Sequence, residues 1–183
     1  MAGKERSPRR KQNLISSAQL RELLEYFPNT GEWWWRVDQR NGIKAGDLAG
    51  CIKADHIGRK KSYQLRKIMI MGRTYTSSRL AWFYITGEWP AGFIDHRNND
   101  SLDDRWDNLR LATASQNKIN APVRSDSKSG IKGVYYDPRR KTWSAQIGVN
   151  GKRRFLGRFA SAGEAQAAYK TAAGAMHGEF ARF

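Results

Sequence analysis

Asp95 and His96 stand side by side in this chain, and Asn108 and Asn117 follow closely. Those residue types at that spacing suit one chemistry. A hard divalent cation takes oxygen ligands such as an aspartate carboxylate and a carboxamide, with water and phosphate completing its shell. A neutral imidazole beside that ion takes the proton from an attacking water. On a chain of formal charge +16, with Lys+Arg 33 against Asp+Glu 17, phosphate is the natural substrate. The set predicts metal-assisted hydrolysis of a phosphate ester. Asp95 and Asn117 are the candidate ligands and His96 the candidate base.

Such side chains need elements to hold them. Adjacent residues on an extended segment diverge, so Asp95 can hold the ion while His96 approaches the water from another direction. Asn108 opens a short apolar segment with Leu109 and Leu111, and Asn117 falls in a predicted helix after a cap at Thr113. Upstream, Ser16-Ser17-Ala18-Gln19 fits a capping box, and Leu20, Leu23, Leu24 and Phe27 predict a helix that stops before Pro28. Asn29-Thr30-Gly31 reads as a turn into a strand over 32–37, with Trp33 and Trp35 on one face and Trp34 on the other. Residues 38–61, rich in glycine and charge, predict loop. A hairpin follows, turning at Gly72 into Tyr75 and Thr76, and then a helix over 79–86 closed by Gly87-Glu88-Trp89-Pro90.

From Ala121 the composition shifts to Pro, Ser, Lys and Asp, the signature of a linker. Beyond it, strands are predicted at 131–136, 143–149 and 153–159, separated by Asp137-Pro138 and the hairpin dipeptide Asn150-Gly151. Ser161 and Glu164 fit a second capping box. Ala162, Ala165, Tyr169, Ala172, Ala173 and Met176 then form a small-residue helical face able to pack on that sheet.

Composition bounds the function. A sequence pI near 10.3 predicts a polyanionic partner, most simply nucleic acid, although a solvated basic surface gives the same balance. Cys51 is the one cysteine, which excludes an internal disulfide and a zinc site built on paired cysteines. The basic residues 1–13 predict a disordered arm, lying on phosphates or simply solvated. No apolar run resembles a signal peptide or reaches membrane-spanning length, so a cytoplasmic protein without membrane contact is expected.

Several stretches together resemble the HNH endonuclease family, most nearly the phage and intron-encoded homing type with a ββα-metal motif. They are Ser78-Arg79-Leu80-Ala81-Trp82, Gly87-Glu88-Trp89-Pro90, Ile94-Asp95-His96, Asn98-Asn99-Asp100, Asn108-Leu109-Arg110-Leu111-Ala112-Thr113 and Ser115-Gln116-Asn117. The resemblance covers roughly residues 62–120. It implies one Mg²⁺ or Mn²⁺ on Asp95 and Asn117, His96 as general base, and Asn108 bracing the loop and orienting His96. Arg97 or Arg110 would neutralise a flanking phosphate. Many members carry histidine where this chain has Ser78. One metal site per chain implies a nick by a monomer, and a double-strand cut only through a DNA-induced dimer or two binding events.

Residues 129–183 resemble an AP2 DNA-binding domain through Gly130-Ile131-Lys132-Gly133-Val134, Trp143-Ser144-Ala145-Gln146-Ile147, Phe155-Leu156-Gly157-Arg158-Phe159 and Glu164-Ala165-Gln166-Ala167-Ala168-Tyr169. Strand alternation turns Ala145 and Ile147 to the helix and leaves Ser144 and Gln146 for DNA. The resemblance implies DNA contacts from Lys132, Tyr135, Arg153 and Phe155, close approach at Gly133, and backbone or sugar contact from Trp143. Arg139 and Arg140, in the turn, suit phosphates. Tyr135, Gly148 and Phe155 depart from the residues typical of plant members, so no target sequence follows.

The expected architecture is α+β: an HNH ββα-metal nuclease region at 14–120, a linker at 121–128, and an AP2-like three-stranded antiparallel sheet packed on one helix at 129–183. The expected function is metal-dependent cleavage of duplex DNA at a long, loosely specified site. Two rivals keep the charge without the chemistry: a DNA-binding regulator with a decayed nuclease region, and an RNA binder that stacks bases on its aromatics. Neither requires Asp95, His96, Asn108 and Asn117 together.

Overall fold

A computed structural model describes residues 15–57, 61–120, 123, 127–149 and 151–181. The basic arm expected at 1–13 and most of the expected linker lie outside the described residues.

The first helix, α1 (Ser17–Leu23), starts at the expected capping box, with Ser16 and Gln19 bonded reciprocally. It is shorter than the apolar stripe suggested. Leu24 turns extended, and β1 (Leu24–Phe27) pairs antiparallel with β2 (Glu32–Trp35) across the Asn29–Gly31 turn. Leu24 and Tyr26 alternate with exposed Glu25 and Phe27, so the stripe read as helical changes period at its midpoint. Trp33 and Trp35 are buried and Trp34 faces the other way, as expected.

Residues 38–61 contain a strand that the composition hid. β3 (Cys51–Ile57) pairs along its whole length with β4 (Lys61–Ile70), and β4 pairs with β5 (Arg73–Thr76) across the expected turn at Gly72. Residues 51–54 are all exposed, so the segment carries no in-out alternation to read. Pairing with β4 holds it in place.

Helix α2 (Ser77–Thr86) buries Leu80, Ala81 and Phe83 against Leu20, Leu24, Trp33, Ile68 and Ile70. Each fully buried Leu or Ile in this core contributes about 1.5–3 kcal/mol. A ββα unit leans on this core through Leu109: β6 (Phe93–His96), a 3-10 turn at Trp106–Asn108, β7 (Leu109–Ala112) and α3 (Ala114–Asn120). β6 and β7 pair antiparallel with Asp95 opposite Arg110. Thr113 caps α3 reciprocally with Gln116.

A separate core lies in the C-terminal part. β8 (Val134–Asp137), β9 (Thr142–Val149) and β10 (Lys152–Phe159) form a three-stranded antiparallel sheet in the order β10-β9-β8. Helix α4 (Ala162–His177) packs Ala165, Tyr169 and Ala173 on Val134, Ala145 and Ile147. β8 begins at Val134 rather than 131 because Gly130 and Gly133 take positive φ and bend the chain before it.

Candidate active site

The ββα unit, β5, α2 and the start of β4 enclose a cleft of about 470 Å³. Asp95, His96 and Asn117 all line it, with Ser78, Arg79, Tyr63 and Asn99 around them. Three of the four side chains expected to carry chemistry therefore meet in one cavity. The fourth, Asn108, is buried behind it.

Asp95 and His96 diverge as an extended backbone requires. The Asp95 carboxylate, 5 % exposed, receives Arg110 Nε at 2.8 Å on Oδ2 and Asn120 Nδ2 at 3.0 Å on both oxygens. Asn120 also donates to the His96 carbonyl at 2.9 Å, tying the end of α3 to the end of β6. On the other side, His96 Nε2 lies 3.0 Å from Asp104 Oδ1. Asp104 is 2 % exposed.

Asn108 works as a brace. Its Oδ1 accepts from the Asn98 backbone, and its Nδ2 donates to Asn98 Oδ1 and to the Asp103 carbonyl. Its backbone carbonyl accepts from the Arg97 amide, next to His96 in the loop between β6 and β7, at 2.9 Å, while the side chain that meets the imidazole itself is Asp104. In the same loop, Arg105 grips Asp103 through two side-chain hydrogen bonds. Those bonds hold the Asp103 carboxyl down at about 2.

Arg110 is not available to a phosphate. Its guanidinium is 6 % exposed, pairs with Asp95, donates to the Glu179 carbonyl at 2.6 Å, and lies 3.8 Å from the centre of the Phe180 ring. A charge whose donors already meet a carboxylate, a carbonyl and an aromatic face cannot turn outward without losing all three. Arg97 is exposed and pairs with the Glu179 carboxylate at 2.6 Å.

The ligand chemistry can be tested against these contacts. A carboxylate offers about four lone-pair directions. Arg110 and Asn120 fill those of Oδ2, which leaves Oδ1 with one direction beyond its bond to Asn120. Asn117 sits one helical turn before Asn120, on the same side of α3, and lines the same cleft. One carboxylate oxygen and one carboxamide fit a cation that keeps most of its shell as water and phosphate, as Mg²⁺ does. Among the described residues, no group of three or more His, Cys, Asp or Glu could hold a metal by itself.

The C-terminal residues divide by face. The strand register puts Tyr135, Gln146, Arg153 and Phe155 on the face opposite Ala145 and Ile147. Tyr135 and Phe155 are exposed there, and Arg158 lies over the Phe155 ring. Ser144 shares that face but is only 2 % exposed, so it is sealed rather than presented. Trp143 lies on the helix side, against Tyr136 and the core. Gly133 is held to glycine by the chain's own packing. A Cβ there would sit 2.3 Å from the Tyr169 ring and 2.5 Å from the Gln146 carbonyl, so the space is used internally. Lys132 donates to the Ile119 carbonyl at the end of α3 and so ties the sheet to the ββα unit. Arg139 and Arg140 are exposed, with Arg140 paired to Asp137.

Asp104, Asn120 and the pairing of Arg110 with Asp95 were missed by sequence reasoning. Asn120 had a signal, since it follows Asn117 at i+3. Asp104 had none: it is the second of two adjacent aspartates in a polar loop.

Comparison with known proteins bears on this geometry. The HNH endonuclease family pattern matches residues 75–119, from β5 to the penultimate residue of α3. The chain is 33% identical over 103 residues to Protein 3.8 of Escherichia phage T7, across 56% of this chain and 84% of that protein. No solved structure matches the chain. Asp95, His96, Asn108 and Asn117 lie inside the matched segment, and the chain belongs to the HNH endonuclease family of DNA-hydrolysing nucleases.

Proposed function

We propose that this nuclease hydrolyses a phosphodiester of duplex DNA with one Mg²⁺ or Mn²⁺ held by Asp95 and Asn117 and with His96 as general base. Residues 129–183 act as an AP2-like reader of a long, tolerant site. The observation that carries the proposal is the meeting of Asp95, His96 and Asn117 in one cleft.

The ion, when bound, supplies positive charge to the scissile phosphate and to the departing 3′-oxygen. The chain's own groups do the rest. His96 accepts the proton of a water as its oxygen attacks phosphorus and the bond to the 3′-oxygen breaks. Asn120 and Arg110 fix the Asp95 carboxylate, and Asn108 keeps the loop between β6 and β7 closed behind His96. Recognition is divided in the same way. The net charge of +16 attracts the backbone without reading sequence, while Tyr135, Gln146, Arg153 and Phe155 offer one sheet face of a size the major groove admits.

A supercoiled-plasmid assay tests the proposal, with Mg²⁺, Mn²⁺ or EDTA and the wild type beside Asn117→Ala. Relaxed circles that require metal and Asn117 support it. Cutting that persists in EDTA contradicts the metal assignment. Tight binding without cutting under every condition favours the regulator.

A further inference from the structure

The His96 ring is held by a residue that none of the proposed roles includes. Asp104 Oδ1 lies 3.0 Å from His96 Nε2, and their side chains are 2 % and 10 % exposed. Asp104 Oδ2 is buried with no hydrogen-bond partner. A buried carboxylate with half its capacity unmet costs stability, so packing does not account for it.

The loop that carries Asp104 is fixed from outside the family segment. The Tyr26 hydroxyl donates to the Asp104 carbonyl at 2.6 Å. The Trp106 amide donates to the Pro28 carbonyl at 2.9 Å. Gly31, at φ +76°, lies so near that a Cβ would meet the Asp104 carbonyl carbon at 2.5 Å. All three contacts come from the β1–β2 hairpin and its turn. Burial, then the negative charges of Asp104, Asp103 and Asp107, push the Tyr26 phenol well above its ordinary range, so it remains a donor.

We infer that Asp104 is a positioning residue for His96, and that the β1–β2 hairpin is the part of the catalytic apparatus that holds Asp104 in place. This deepens the reading of His96 as the base and rests on it. A carboxylate only accepts hydrogen bonds, so Nε2 must carry the proton and the lone pair is left on Nδ1. Asp104 thus selects both the ring orientation and the nitrogen that takes the proton from water. The unmet Oδ2 leaves Asp104 with the imidazole as its one side-chain partner among the described residues.

Asp104→Leu tests this, because an apolar side chain of similar size removes the acceptor, whereas an amide could still accept through its oxygen. In ¹⁵N spectra of histidine-labelled protein, the wild-type His96 ring is expected as the Nε2–H tautomer alone and the variant as a mixture of the two neutral tautomers. Cleavage should fall on the order of 10²–10⁴-fold in kcat, as when a base loses its orienting partner. DNA Kd should stay within about twofold, since Asp104 is 2 % exposed and its carboxylate meets, among the described residues, only the imidazole, whose proposed work is on the attacking water rather than on holding the duplex. An unchanged tautomer, or a kcat within about twofold of wild type, overturns the inference. If Asp104→Leu does not fold, Tyr26→Phe decides. It removes the one hydroxyl that fixes the Asp104 carbonyl and should lower kcat about tenfold at unchanged Kd, and an unaltered kcat overturns the inference. The spectrum needs no turnover, so an inactive wild type would sink the nuclease mechanism while the His96–Asp104 pair was still judged on its own.

Discussion

Arg110 is the residue on which the site's electrostatics turn. Its positive charge stands against Asp95, and both side chains are 6 % exposed. Removing one partner of such a pair leaves the other charge buried alone. Arg110→Met is therefore expected to lower stability by about 3–5 kcal/mol, read as a shift in the urea midpoint. A smaller loss, within about 1 kcal/mol, would mean that Asp95 relaxes to water. The same pairing reduces the charge available to a cation, and few protein ligands remain. The ion should be loosely held, so dialysis against EDTA is expected to abolish cutting without unfolding, and added Mg²⁺ to restore it. Asp103 sets a pH dependence. Hydrogen bonds from Arg105 lower its carboxyl to about 2, so its contribution is present above the usual carboxylate range and lost as pH falls from about 4 towards 2. Asp103→Asn should flatten the acid limb of the stability profile in that window.

At the scale of elements, the ββα unit was legible because its parts carry local signals: the cap at Thr113, the apolar run at Leu109–Leu111 and the adjacent Asp95-His96. Those signals depend only on near neighbours. Of the hairpin β1–β2, the turn and β2 were legible but β1 was not, because Leu20, Leu23 and Leu24 fit a helical period until tertiary pairing with the tryptophans of β2 takes Leu24 into a strand. β3 was hidden for the opposite reason, having no apolar alternation to reveal it. Asp104 could not be found at all without that hairpin, since its surroundings come from residues some 80 positions away. Gly31→Ala examines the junction directly. A Cβ forced against the Asp104 backbone should displace the hairpin or the loop, lowering both kcat and the melting temperature. Unchanged values for both would mean that the two segments do not depend on one another.

At the scale of the whole molecule, the nuclease part and the segment that follows α4 meet at Arg110, the partner of Asp95. Glu179 and Phe180, just after α4, enclose Arg110, and Glu179 also pairs with Arg97. Deleting residues 129–183 would thus unsettle the site as well as remove the proposed reader. Substitution on the sheet face separates the two effects. Arg153→Ala with Phe155→Ala should weaken or broaden site choice while leaving metal-dependent nicking of plasmid intact. Retained site preference would remove the reader from the account. Binding to any duplex should weaken steeply with salt, as phosphate contacts on so basic a chain require. The central claim is that His96 performs the chemistry inside an otherwise intact DNA-binding protein. It is tested most directly by measuring nicking of supercoiled DNA and duplex affinity together for wild type and His96→Ala. Wild type in Mg²⁺ should give relaxed circles, the variant should lose about 10²–10⁴-fold in rate, and both should bind duplex with equal affinity. Cleavage by His96→Ala at the wild-type rate would contradict it.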